Sequence, residues 1–193
     1  MPFNPSTSVG IDSKRRLLNG GQMNGSILAA ILTLISPVVL HAQTTYAPVT
    51  PAAFNTLSGT LVPGDRIVLP AGVLLDWGVL NLDHSGTAEQ PILVCAPTIF
   101  GSTISGNTQF RITGDHVVLK GMRFEDLTGS CPVHFAGGSH GRVTQCSFSG
   151  ALASSYVRAD PIEGILDSAS RLTIDHNSFG SGVVNPVTLV GLD

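Results

Sequence analysis

The 193-residue sequence predicts an all-β fold, a right-handed single-stranded parallel β-helix, over everything after residue 42. Three observations point there. Glycine (22) and proline (12) are abundant beside many β-branched residues, as in a chain of short strands and tight turns. No segment after residue 43 sustains a helical period. A short unit recurs three times, at Val117–Phe124, Gly141–Phe148 and Leu172–Phe179. Its closing phenylalanines, Phe124, Phe148 and Phe179, are 24 and 31 residues apart. A unit this short cannot bury its own apolar face, and stacking coils as rungs about 4.8 Å apart solves that. Short regular strands also fit a β-sandwich.

Residues 1–26 are polar and carry Lys14, Arg15 and Arg16; an apolar run, Ile27 to Leu40, follows. This is the layout of a secretory signal peptide, with cleavage expected after Ala42. The run falls short of the roughly 20 residues that span a bilayer, so no stable membrane span is expected after cleavage. Arg15-Arg16 with Leu17-Leu18 is a weak twin-arginine match. Two segments follow: 1–42 as signal peptide, and 43–193 as the solenoid. The second holds seven lysines and arginines against twelve acids, a net charge near −5, and its sole lysine is Lys120. Such a balance excludes a general nucleic-acid binder, which needs a cationic field. Location outside the cytoplasm, secreted or periplasmic, is expected.

Within the solenoid, Ala52–Leu57 reads as a capping helix opened by Thr50-Pro51. Strands are expected at Arg66–Leu69 after the turn Pro63-Gly64-Asp65, at Pro91–Cys95 and at Ser102–Gly106. In the repeats the phenylalanines should form an interior column. Met122, Cys146 and Asn177 should form its neighbour, with Asn177 bonding the adjacent rung. Glu125-Asp126 reads as a charged turn. Cys95, Cys131 and Cys146 allow at most one internal disulfide; each is expected as a small buried hydrophobe.

The ordered set Pro63–Leu69 with Gly72, Gly86–Ile92, Ile104-Ser105-Gly106, Val117–Phe124 and Ile174–Phe179 resembles the chondroitinase B-like alginate lyases, polysaccharide lyase family six, over about residues 48–193. The resemblance implies a pectate-lyase-like solenoid that cleaves acidic, uronate-containing polysaccharides by β-elimination, assisted by calcium. It implies a lysine base, an arginine acid, and Asn and Glu ligands for calcium in coils after Ile174–Phe179. None of these has a matching position here. The run Pro186–Leu192 reads as an uncapped strand, so a truncated N-terminal part is expected, with no catalytic residue and no calcium ligand assigned.

Arg142 and Arg171 are the candidate substrate-binding residues. They lie six and eight residues before a repeat phenylalanine, and with Arg123 could line a groove for an anionic sugar chain; solvation is the other reading. Lys120 reads as a solvated outer-face residue rather than a base. Asp175 and His176, as strand neighbours, should point to opposite faces. Asp160, Glu163 and Asp167 fall in a longer insertion that forms either a weak cation site or a solvated loop. His134 and His140 flank a glycine-rich turn without an evident partner. The rival readings are a non-catalytic β-helix module binding carbohydrate, and a pectin-active lyase or hydrolase.

Overall fold

The structure is a computed structural model. It describes residues 42–150, 154–160, 171–180 and 185–189. The chain divides into two units, Met1–Leu40 and His41–Asp193. The signal-peptide reading falls on the first, outside the described residues.

Three parallel sheets run up the second unit, and each coil contributes one strand to each. The first sheet stacks β1 (Thr45–Tyr46), β2 (Arg66–Val68), β5 (Ile92–Cys95), β8 (Val117–Lys120), β11 (Arg142–Thr144) and β14 (Thr173–Asp175). The second stacks β3 (Gly72–Leu75), β6 (Ser102–Gly106), β9 (Arg123–Leu127), β12 (Ser147–Phe148) and β15 (Ser178–Phe179). The third stacks β4 (Val79–Leu82), β7 (Gln109–Ile112), β10 (Val133–Phe135), β13 (Val157–Ala159) and β16 (Val187–Leu189). Every pairing is parallel. This is the expected parallel β-helix and excludes a sandwich of antiparallel layers.

Register follows from the inward residues. Ile67, Val94, Leu119, Val143 and Ile174 line up along the first sheet. Leu74, Ile104, Phe124, Phe148 and Phe179 line up along the second. Phe124 and Phe148 stack with ring centres 4.5 Å apart, and Phe148 and Phe179 at 5.1 Å, as the repeat predicts. A slip of one residue would turn the buried members of these columns outward, so burial fixes the register of the inner rungs; on the last described rung Ile174 is half-buried and Phe179 exposed. Met122 and Cys146 are buried one column over. Asn177 closes that column: its side chain accepts from Cys146 N–H at 2.8 Å and donates to Val143 C=O at 2.8 Å.

The corners between sheets repeat as well. Gly121, Gln145 and His176, just after strands of the first sheet, all have positive φ (75°, 54° and 55°). His116, His140 and Arg171, just before those strands, repeat this at 52° to 55°. Glu125 and Asp126 do not form a turn. They lie inside β9, where Asp126 at φ 48° accompanies a register shift against β6. This is a bulge, which a two-residue alternation cannot reveal. The three cysteines are free and buried.

The helix α1 (Pro51–Ser58) caps the first coil. Thr50 Oγ1 accepts from Ala53 N–H at 3.1 Å, and Pro51 supplies a preset first turn. From this helix Asn55 reaches the free edge of β4. Its amide donates to Val79 C=O and accepts from Asn81 N–H, both at 3.0 Å.

Candidate functional site

Two outer faces carry charge. On the first sheet the residues between inward positions point outward. They form a groove of about 530 Å³ lined by Glu89, Gln90, Lys120, Arg142, Gln145 and His176, among others. Arg142 reaches one rung up to Asp175: Nε donates to Oδ1 at 3.0 Å and Nη2 to Oδ2. That fork holds the Asp175 carboxyl far below its ordinary range, with burial opposing and Thr144 and His176 adding to it. A carboxylate held ionised in this way is a weak base. His176 turns back because its φ is positive, and its Nδ1 lies 2.9 Å from Asp175 Oδ2. The strand-alternation argument that separated the two fails at this corner. Lys120 is exposed in the groove and makes no ion pair among the described residues.

Arg171 is not the repeat partner of Arg142. In register Arg142 pairs with Thr173, so Arg171 falls beside His140. Arg171 Nη1 lies 3.3 Å from His140 Nε2, and His140 stacks on His116 with ring centres 4.5 Å apart. Below them Asp115 accepts from Ser139 N–H at 2.7 Å and Oγ–H at 2.8 Å. Burial pushes the Asp115 carboxyl up, but the Ser139 bonds and the two histidines outweigh it and lower it. Arg142 and Arg171 thus sit on different parts of the coil and share no contact partner among the described residues.

The third sheet presents a charged column that the sequence did not single out. Asn81, Arg111, His134, Arg158 and Thr188 occupy one register position on five successive strands. Their neighbours in β7, β10 and β13, Phe110, Ile112, Val133, Phe135, Val157 and Ala159, are buried, so the column faces out. Asp160 Oδ2 lies 2.7 Å from Arg158 Nε and 3.1 Å from His134 Nε2. Burial lowers the His134 pKa, the Asp160 carboxylate opposes this, and Arg158 and Arg111 add to the lowering. His134 and His140 therefore both have partners. The only sequence signal of the column was the spacing of Arg111, His134 and Arg158, one per coil.

Among the described residues the donors do not fit calcium. It takes six to eight oxygens, whereas Asp160 and Asp175 already face guanidinium and imidazole groups. Among the described residues no three His, Cys, Asp or Glu side chains gather as a metal site. Glu163 and Asp167 lie outside the described residues. No helix among the described residues is long and apolar enough to cross a membrane.

Coils stacked in register, a helical cap and charged outer faces define the class: a right-handed single-stranded parallel β-helix protein. The chain belongs to the chondroitinase B family, whose model matches residues 54–150. Solved structures share the fold. A single-substitution variant of the PL6 family alginate lyase AlyGC is 23% identical, with a TM-score of 0.62 over 76% of this chain and 21% of that one. A mannuronic acid specific polysaccharide family 6 lyase from human gut microbiota is 25% identical, with a TM-score of 0.55 over 75% of this chain and 36% of that one. An alginate lyase from Paenibacillus sp. is 21% identical, with a TM-score of 0.57 over 76% and 61%. The chain thus spans from about a fifth to three fifths of the length of these lyases. No curated protein matches it.

Proposed function

We propose that these coils belong to an exported lyase that cleaves uronate polysaccharides of the alginate or chondroitin/dermatan type by β-elimination. The match to the chondroitinase B family over residues 54–150 carries this reading. In such a reaction a base removes the proton α to the uronate carboxylate, a C=C bond forms and the glycosidic oxygen leaves. The proton is acidic enough only when the carboxylate charge is masked. In the family calcium supplies that masking. The described residues offer no cage for it, so the role assigned to these coils is to bind and align the polymer.

Purified protein supplied with alginate, polymannuronate and dermatan sulfate, with calcium, tests the reading. Retention on these polymers, weakened by salt, is expected, with no unsaturated product from this chain. Equal retention on a neutral glucan would overturn the polymer assignment. Unsaturated product would place a base and an acid among these residues and overturn the restriction to binding.

A further inference from the structure

We propose that the groove on the outer face of the first sheet is a binding site for a short, apolar, zwitterionic peptide, with its ammonium group at Glu89 and its carboxylate at Lys120. The site lies on a different sheet from the Arg111 column and does not depend on the function proposed above.

The two ends of the groove are built by different parts of the coil. Glu89, Gln90 and Pro91 stand ahead of β5 and form one end. Lys120 closes β8, and Gln145 and His176 follow β11 and β14 at the corner; these form the other end. Between them the floor is Leu93 and Val118, in register on neighbouring rungs and half-buried although they point outward. An apolar floor with a few polar groups at its rim is the composition of a ligand cleft, and about 530 Å³ lies within the range of such clefts. Among the described residues no Phe, Tyr or Trp lines it, so it offers no flat ring on which a sugar would stack.

The charges select the occupant. Glu89 and Lys120 make no ion pair among the described residues. Near Lys120 the other charged groups are already engaged, since Arg142 and His176 both contact Asp175. One unpaired acid therefore stands at one end of an apolar floor and one unpaired cation at the other. Cys95 is in register with Lys120 and lies four residues past Pro91, a run of about 13 Å at the rise of a strand. An extended peptide of about four residues spans the same length between its termini. The peptide backbone also has a partner here: Gln145 Oε1 is a buried acceptor without a hydrogen bond, a costly state that an incoming N–H relieves. A polyuronate brings only negative charge, which Glu89 repels, so the groove discriminates against it.

Titration of the isotope-labelled full chain with the tetrapeptide Ala-Val-Leu-Ala, followed by amide chemical shifts, is the test. Saturable shifts at Leu93, Val118 and Gln145 are expected. N-acetylation and C-terminal amidation of the peptide should each weaken binding about fivefold. E89Q should erase the penalty for N-acetylation alone, and K120Q the penalty for amidation alone. Both side chains are exposed, and circular dichroism reports that each variant is folded. Absence of saturable shifts with the free peptide overturns the proposal, as do equal affinities for the free and the doubly blocked peptide. Penalties that persist in folded E89Q and K120Q overturn the assignment of the two ends. A mannuronate tetramer that shifts the same residues and competes with the peptide overturns the selection of a zwitterion. Retention on the polymers tests the lyase reading separately, so either can fail without the other.

Discussion

The first and third sheets are built alike, with parallel strands, buried inward columns and cationic residues facing out, yet their outer faces differ in kind. On the first, Arg142 meets Asp175 one rung above, and the two charges cancel locally. On the third, Arg111, His134 and Arg158 follow one another with one acid between them. The interior sets where each outward position stands, and residue choice alone decides whether neighbouring rungs pair or reinforce. Each face thus holds one ion-paired arginine, Arg142 or Arg158, and one cation without an ion pair among the described residues, Lys120 or Arg111, and the two differ in which rungs are bridged.

Removing the shared scaffold should have the largest effect. Phe148 is fully buried between Phe124 and Phe179 and packs against Tyr156. F148A should cost about 3–5 kcal/mol in chemical denaturation, because the stacked neighbours cannot close the void. Both faces should lose definition together. N177A should cost less, about 1–3 kcal/mol, by leaving Cys146 N–H and Val143 C=O without partners. Its effect should stay at the corner between the first and second sheets, where both bonds are made.

D175N should sharpen the contrast with a smaller change. It frees Arg142, so the first face should gain a few-fold in polyanion retention at low salt. It also tests the acid limb of stability. The folded Asp175 titrates below its ordinary value of 3.8, so the pair stabilises the fold above that value. The contribution fades as pH falls from there through the lower folded value, because the unfolded chain takes up the proton first. In urea titrations across this window the wild type should lose stability more steeply than D175N, by a small margin since the pair is largely exposed. The smallest effect concerns the thiols. Burial pushes both Cys131 and Cys146 up to about 11, so neither should be alkylated at neutral pH until the protein unfolds.

The interior was legible because it repeats. The phenylalanine column, the Met122–Cys146–Asn177 column and the Thr50-capped helix all follow from residue types at fixed offsets. The third sheet was not. Its strands are three or four residues long, and their inward residues vary from Leu80 to Phe110, Val133 and Val157, so no recurring side chain announces them. Arg111 and Arg158 stayed hidden with it. Arg142 and Arg171 stand six and eight residues before their phenylalanines, and that two-residue offset is enough to put Arg171 beside His140 while Thr173 takes the position in register with Arg142. Asp175 and His176 were kept apart by a strand rule that stops at the corner, where His176 takes positive φ.

Asn55 has a last consequence. A parallel strand offers its neighbour one carbonyl and one amide around each unpaired position, and Asn55 answers both on β4 with a single side-chain amide. It counterfeits one peptide group of a strand that does not exist. At this end of the third sheet one carbonyl and one amide are thereby withdrawn from pairing with another chain, which makes the edge a poorer template for strand addition.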